Sequence, residues 1–128
     1  MKASQLLEYS EPIYVYPSTT VADVARLMLD MKADVVLVKS GSKVLGIVTE
    51  HDIVRALATG LSPESEVSRI MSTNLVVAKK DEPLTSVVNK MLENNIRHIP
   101  IVTDKCDIIG VLNIKDVVRA FAAFSAWP

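Results

Sequence analysis

The apolar residues of this chain recur at two spacings, one typical of helices and one typical of strands. Val21, Val24 and Met28 are three or four residues apart, as on one face of a helix, and the apolar residues of 84–92 follow the same rule. Short apolar runs bounded by turn residues indicate strands. Taken in order along the chain, these patterns predict the sequence of elements β-α-β-β-α, and they predict it twice.

Each repeat is therefore expected to contain three strands and two helices. In the first repeat the strands span 13–16, 35–39 and 43–49, and the helices span 21–31 and 50–58. In the second repeat the strands span 75–79, 99–103 and 107–112, and the helices span 84–92 and 114–124. A short preamble ahead of each first strand, at 3–7 and 67–71, is predicted to form a helical turn.

Polar residues mark where the first helix of each repeat begins. The Ser-Thr-Thr run at 18–20 supplies N-cap residues for one helix. For the other, Asp81 is the expected cap and Pro83 suits the first helical turn.

The two repeats are close copies of each other. Residues 46–57 return as 110–121 at an offset of 64, whereas the first helices match at 63, so we expect the first repeat to lack one residue near 31–33. We assign the repeats to 1–60 and 61–128. The strands look buried on both faces, and we expect one compact module in which the halves share a core and pack with approximate two-fold symmetry. Such a pair offers two equivalent clefts for small ligands.

Composition narrows the range of functions. The chain of 128 residues is 49% hydrophobic and 23% charged, which favours a well-packed soluble domain. A net charge of −1 and few aromatics argue against nucleic-acid binding. A single cysteine, Cys106, excludes an intrachain disulfide and favours a reduced, cytoplasmic setting. No signal peptide or membrane-spanning run is evident, so no membrane association is expected.

The motif Thr49-Glu-His-Asp52 stands where a strand gives way to a helix, and it has two interpretations. In the structural one it is a capping box, in which the hydroxyl and the carboxylate satisfy backbone N–H groups. In the functional one, the helix N-terminus attracts a phosphate and the carboxylate accepts hydrogen bonds from ribose hydroxyls. The motif recurs as Asn113 to Asp116, which strengthens the functional interpretation.

At this point the chain resembles a tandem pair of cystathionine-β-synthase (CBS) domains, also called a Bateman module. The resemblance rests on MLENNIRHIPIV at 91–102, DIIGVLNIKD at 107–116 and KVLGIVTEHD at 43–52. It implies an α/β (α+β) fold of two β-α-β-β-α repeats and a stand-alone regulatory sensor without cofactor or catalysis. The resemblance also implies that the ligand is an adenine nucleotide (AMP, ADP or ATP) and that the partners are a second copy of the chain and a separate effector protein.

The resemblance also implies which residues line each cleft. Cleft one is expected to bind the nucleotide, with Asp52 on the ribose, Thr49 on ribose or phosphate, and two cationic residues near phosphate. Val76, Ile96 and Ile99 are expected to sandwich the base. The full set is Thr49, Asp52, Met71, Leu75, Val76, Ile96, Arg97, His98 and Ile99.

Cleft two departs from the family pattern and is expected to be the weaker one. Asn113 replaces a usual Thr or Ser, Asp34 is matched with His98, and Val36 is matched with Pro100. An extra carboxylate near phosphate is unfavourable, so this cleft is expected to bind weakly, to take an uncharged adenosine moiety or to stay empty. Its residues are Ile13, Tyr14, Ala33, Asp34, Val35, Asn113 and Asp116.

Several alternatives stay open at the level of sequence. His51 and His98 are either ligand contacts or ordinary histidines, and Arg55 and Arg119 either meet phosphate or pair with the aspartate three residues before them. The chain has neither a metal-ligand spacing nor a nucleophile–base set, so we expect no metal site and no enzyme. The alternative functions are S-adenosylmethionine binding and an RNA-binding or structural assembly role.

Overall fold

The computed structural model describes residues 1–9 and 12–124, and this part of the chain forms six strands and four α-helices in the predicted order. It divides into two compact units. The first-repeat unit is Ile13–Leu75, and the second-repeat unit combines Met1–Pro12 with Val76–Pro128. No helix within the described residues is long and apolar enough to cross a membrane.

Within the residues that the structure describes, each unit contains three strands, two α-helices and one short 3-10 helix. The first-repeat unit consists of β1 (Tyr14–Val15), α1 (Val21–Met31), β2 (Val35–Ser40), β3 (Lys43–Thr49), α2 (Glu50–Ala58) and the 3-10 helix Val67–Arg69. The second-repeat unit consists of the 3-10 helix Ala3–Tyr9, β4 (Ala78–Lys79), α3 (Leu84–Glu93), β5 (His98–Val102), β6 (Ile108–Asn113) and α4 (Ile114–Phe124). Strands β1 and β4 are shorter than the sequence predicts.

The two sheets have the same topology. In each, the short first strand pairs in parallel with the second strand, which pairs antiparallel with the third. The central strand is the most buried one because it has a neighbour on both sides: Val36, Leu37 and Val38 of β2 are buried, as is every residue of β5. Mixed sheets of this kind suit continuous apolar runs, as the sequence predicts.

Each unit has its own cluster of buried aliphatic side chains. In the first-repeat unit the helix positions Val21, Val24 and Met28 pack with the apolar residues of β2 and β3. In the second, Val87 and Met91 of α3 pack with residues of β5 and β6. The helical spacing in the sequence therefore identifies the inward faces of α1 and α3.

The N-caps of α1 and α3 differ from each other. Thr20 caps α1 as predicted, and its side chain accepts a hydrogen bond of 3.1 Å from the Asp23 N–H. The predicted cap of α3 is wrong, since Pro83 holds the N-cap position and no side chain caps it. The neighbouring Glu82 does not cap the helix, but its carboxylate accepts hydrogen bonds from Ser86 Oγ and from the Lys79 N–H.

The residue missing from the first repeat lies in a hairpin, and its predicted position near 31–33 is wrong. Val15 of β1 pairs with Val38 of β2, and Ala78 of β4 pairs with Ile101 of β5. The first strands of the two repeats therefore match at an offset of 63, and so do the central strands. The offset becomes 64 only in the third strands, where Gly46 and Gly110 face those same central strands. A hairpin loop absorbs a length change without altering the pairing of either strand.

The corrected offset changes which residues correspond. Asp34 matches Arg97, Val35 matches His98, and the predicted match between Asp34 and His98 is wrong. Backbone hydrogen bonds agree with the new match: the Asp34 carbonyl accepts from the first N–H of α2 at 3.1 Å, and the Arg97 carbonyl accepts from the first N–H of α4 at 2.9 Å.

The preambles pack in the unit of the opposite repeat. Val67 N–H donates to the Thr19 carbonyl at 2.7 Å, and Ala3 N–H donates to the Glu82 carbonyl at 3.0 Å. Both preambles are 3-10 helices, which confirms the predicted helical turns. The compact units thus follow the repeats in their sheets and helices but exchange the segments that precede the first strands.

These preambles explain the repeated glycines. A Cβ on Gly46 would lie 2.8 Å from the Met71 side chain and from the Ser72 carbonyl oxygen, and a Cβ on Gly110 would lie 2.8 Å from Leu7 Cδ2. Each glycine therefore stands where the backbone of a strand closely approaches a preamble.

Candidate functional site

The two candidate sites are corners at which the last strand of a unit passes into its last helix. We define the first corner as Asp34, Thr49 and Asp52, and the second corner as Arg97, His98, Asn113 and Asp116. Each corner combines the N-terminus of a helix with the start of the central strand. Since both segments of a corner belong to one unit, the fold of that unit alone determines their mutual geometry.

The first corner contains a complete capping box. The Thr49 N–H donates to Asp52 Oδ2 at 2.9 Å, and the Asp52 N–H donates to Thr49 Oγ1 at 3.4 Å. The Thr49 hydroxyl also lies 3.2 Å from Asp52 Oδ2, within reach to donate. The structural interpretation of this motif is therefore confirmed. It leaves Asp52 Oδ1 for other partners, and one of these is Arg55 Nη1 at 3.9 Å.

The second corner is capped differently. The Asn113 N–H donates to Asp116 Oδ2 at 2.9 Å, as in the first corner. The Asn113 side-chain oxygen, however, accepts from the Lys115 N–H at 2.8 Å, and its amide nitrogen lies 3.1 Å from His98 Nε2. Because the oxygen is already fixed by Lys115, the amide nitrogen must be the donor and His98 Nε2 the acceptor. His98 is buried, with 9% of its surface exposed.

This contact brings together two residues that the resemblance had divided between clefts. His98 and Asn113 face each other across β5 and β6. The adjacent Arg97 is exposed, and the ion pairs formed by residues 1–9 and 12–124 do not include it. Arg97 is thus the residue of this corner that offers a positive charge.

Both helix arginines bind the aspartate that precedes them. Arg119 Nη1 lies 3.6 Å from Asp116 Oδ1, which repeats the pair of Arg55 with Asp52. The aspartates are largely buried and the arginines largely exposed. The intrahelical interpretation of these arginines is confirmed, and such pairs add only a few tenths of a kcal/mol, about 0.2–0.5, to helix stability.

The apolar residues predicted to contact a base are unequally accessible. Ile99 is fully buried in the core, so it offers no side-chain surface to a ligand in this structure. Val76 and Ile96 are partly buried and pack at the edge of the same core. The remaining predicted residues of cleft one, Met71 and Leu75, are partly buried in the first-repeat unit.

The predicted residues of cleft two lie in both units as well. Ile13, Ala33 and Val35 are partly buried in the first-repeat unit. Tyr14 is more exposed, and Lys39 Nζ lies 4.6 Å from the centre of its ring. His51, on the first turn of α2, is exposed.

The sequence reasoning missed a polar network on the inner side of α3. Lys90 Nζ donates to Glu82 Oε1 at 2.9 Å and to the Val77 carbonyl at 3.0 Å. Burial alone would raise the pKa of the Glu82 carboxyl, but hydrogen bonds from Lys90, Ser86 and the Lys79 N–H lower that pKa below its ordinary value. The signal was Lys90 itself, a cation three residues after Val87 on an otherwise apolar stripe. The network holds the backbone that follows Val76.

The described residues contain no group of three or more His, Cys, Asp or Glu side chains that could hold a metal ion. The two corners are therefore sites for hydrogen bonding and charge, built on helix N-termini with a largely buried carboxylate each.

Comparison with known proteins identifies the repeated unit. The family model described as "CBS domain" matches residues 7–59 and 67–123. An uncharacterized 17.7 kDa protein of Acidianus ambivalens is 32% identical over 121 residues, covering 93% of this chain and 72% of that protein. The chain spans only about a fifth of other relatives, such as an L-aspartate semialdehyde sulfurtransferase of Methanocaldococcus jannaschii, 29% identical, of which it covers 21%.

Solved structures give the same result. The CBS domain pair of protein MJ0100, in complex with 5′-methylthioadenosine and S-adenosyl-L-methionine, superposes with a TM-score of 0.86 at 25% identity and covers 98% of each chain. An uncharacterized protein of Pyrococcus horikoshii superposes with a TM-score of 0.88 at 29% identity, covering 99% of this chain and 95% of that one. Together the two matched segments and these structures show that the chain belongs to the CBS domain family and contains a tandem pair of CBS domains.

Proposed function

We propose that this chain is a non-catalytic regulatory module whose CBS repeats bind an adenosine-containing ligand. The observation that carries the proposal is the pair of matched corners, each with a largely buried aspartate on the first turn of a helix. A structural relative at 25% identity holds two adenosine derivatives, which supports the ligand class.

The chemistry of the corners suits the sugar of a nucleoside. The second oxygen of Asp52 or of Asp116 can accept hydrogen bonds from the vicinal hydroxyls of a ribose, since one oxygen already binds the N-cap N–H. The remaining N–H groups of the helix N-terminus and the positive end of its dipole favour a phosphate. Val76 and Ile96, which are partly buried at the edge of the second-repeat core, offer apolar surface for an adenine ring.

Within the proposal, phosphate recognition falls to Arg97. Its guanidinium can bind phosphate oxygens through two parallel hydrogen bonds. His98 has a different role, because its Nε2 lies against the side-chain nitrogen of Asn113. It orients Asn113, whose oxygen stays on the Lys115 N–H.

The regulatory role is proposed in place of catalysis. Some relatives are enzymes, but this chain covers about a fifth of their length. A turnover assay with AMP and ATP tests this point: unchanged nucleotide after prolonged incubation supports a regulatory role, and product formation that Asp116→Asn abolishes contradicts it.

Partners are proposed on the same basis. Each unit exposes large apolar side chains on its helices, namely Leu29 and Val54 in the first-repeat unit and Leu92 and Val118 in the second. We propose that a second copy of the chain covers them and that an effector protein reads the liganded state, as a population shift. Sedimentation equilibrium tests the dimer: Leu29→Lys with Val54→Lys should give monomers, and a monomeric parent chain would contradict it.

The ligand class is tested by thermal unfolding with AMP, ADP, ATP, S-adenosylmethionine and NAD. A ligand at 100 times its dissociation constant should stabilise the fold by about 2.7 kcal/mol. Guanosine monophosphate and inorganic phosphate are the controls. If no adenosine compound stabilises the fold, the proposal is contradicted. If inorganic phosphate alone stabilises the fold as much as a nucleotide does, recognition of the nucleoside is contradicted.

A further inference from the structure

The corrected match between the repeats reveals opposite charge at the two corners. The first corner and its helix turn contain Asp34, Glu50, Asp52 and Arg55, three acids and one base, for a formal charge of −2. The matched positions of the second corner are Arg97, Ile114, Asp116 and Arg119. In addition, Lys115 stands where the first corner has His51. The second corner thus has three bases and one acid, for a formal charge of +2. The aspartates and helix arginines are common to both corners, and the difference comes from three positions.

Those three positions lie at the helix N-terminus of each corner. The carbonyls of Asp34 and Arg97 bind the first N–H of the following helix, so both side chains start beside the helix N-terminus. Glu50 and Ile114 are the residues that donate those N–H groups. His51 and Lys115 follow directly and are exposed, as are Glu50 and Arg97.

We infer that the two corners select ligands by charge: the second takes an adenosine derivative with phosphate, and the first takes one without phosphate. The inference rests on the proposed function, because it assigns ligand classes to those sites. It is opposite to the expectation from sequence, which placed the nucleotide at Thr49 and Asp52. That expectation assigned Arg97 and His98 to Thr49. In the structure His98 pairs with Asn113, and the Arg97 carbonyl accepts from the Ile114 N–H.

The physical reason is electrostatic. Three carboxylates around one helix N-terminus repel a phosphate and outweigh the partial positive charge of the dipole, which is about half an elementary charge. A neutral or sulfonium-bearing adenosine derivative meets no such penalty, and its ribose still binds Asp52. At the second corner the guanidinium and the lysine attract the phosphate that the dipole already favours.

The inference is tested by titration calorimetry of the full chain with AMP and with 5′-methylthioadenosine. One equivalent of each should bind, and saturation with one should leave the affinity for the other unchanged. Arg97→Glu should weaken AMP binding about tenfold or more, as expected for a lost hydrogen bond to a charged group, and should leave methylthioadenosine binding unchanged. Lys105→Glu, in the exposed turn before β6, is the matched charge control and should change neither.

The reverse change gives a gain of function. Asp34→Arg should raise the stoichiometry of AMP from one to two per chain, and Asp104→Arg, in the same exposed turn as Lys105, should leave it at one. If Asp34→Arg and Arg97→Glu alter no AMP parameter while Asp116→Asn abolishes binding, charge selection is overturned and the proposed function stands. If the parent chain binds no adenosine derivative, both are overturned.

Discussion

The Asn113 side-chain nitrogen lies 3.1 Å from His98 Nε2, and the other end of the same amide accepts from the Lys115 N–H at 2.8 Å. The β5–β6 register places these residues opposite each other, because His98 pairs with Asn113 at the end of the ladder. One side chain thus joins the helix N-terminus to the start of the central strand. This joint gives the second corner a geometry that the first corner, with Val35 in place of His98, does not share.

This contact predicts the tautomer of His98. Nε2 accepts a hydrogen bond, so the proton of the neutral ring must be on Nδ1. Nitrogen-15 correlation spectra at neutral pH should show the Nδ1–H form for His98. His51, the other histidine and an exposed one, is the internal reference. A protonated Nε2 in neutral His98 would contradict the assigned amide orientation, and Asn113→Ala should remove the preference.

The lowered pKa of Glu82 predicts that the free energy of unfolding falls when the pH becomes acidic. Its carboxyl pKa is lower in the folded chain than its ordinary value of 4.5, so the folded state favours the ionised form. The stabilising contribution is therefore complete above about pH 4.5 and is lost as the pH falls through the lowered folded-state pKa. Urea unfolding should show that Glu82→Gln destabilises the chain at pH 7 and that the difference from the parent shrinks in acid.

Lys90 supplies the control for this experiment. Lys90→Met removes the cation but keeps a long unbranched side chain, and it should reduce the pH dependence in the parent background. If the difference in the free energy of unfolding between Glu82→Gln and the parent chain stays constant from neutral to acidic pH, the lowered pKa is contradicted.

The repeated glycines predict unequal costs of adding a methyl group. Gly46→Ala must displace the Ser72 carbonyl, which is paired with β3 at Ile47, whereas Gly110→Ala meets the end of the flexible Leu7 side chain. Overpacking costs about 1–3 kcal/mol, and we expect Gly46→Ala near the upper end and Gly110→Ala near the lower end. Chemical denaturation gives both free energies of unfolding.

A second substitution distinguishes a clash with a side chain from a clash with the backbone. Leu7→Ala should relieve Gly110→Ala, because the side chain is the obstacle. Met71→Ala should leave most of the cost of Gly46→Ala, because the Ser72 backbone remains. Equal costs for the two glycine substitutions would contradict this account of the preambles.

Much of the fold was predictable from local pattern, for identifiable reasons. The stripes on α1 and α3 carry helical spacing, and the capping box of Thr49 and Asp52 depends on residues three apart. The position of the missing residue was not predictable, since an offset of 63 or of 64 aligns the apolar run of β2 equally well with β5. Only the parallel pairing of β2 with β1 decides between them.

The same limit applies to the site. Asp52 and Asp116 were identified from their repeated motif, whereas the neighbour of Asn113 depends on the register of two strands. The network of Glu82 and Lys90 joins α3 to the Val77 carbonyl, thirteen residues from Lys90. The place of Lys90 on an apolar stripe marks it as unusual, but no local pattern identifies its partners. The exchange of preambles is likewise a tertiary feature, because the segments 3–7 and 67–71 have the same local sequence character.

The central claim, that the corners bind an adenosine-containing ligand, is tested most directly by backbone amide spectra of the chain titrated with AMP. We expect saturable shifts that are largest at 96–99 and 113–116, with inorganic phosphate at the same ionic strength giving smaller ones. Asp116→Asn should remove them. An absence of saturable shifts, or shifts confined to remote segments such as the turn at 103–107, would contradict the account.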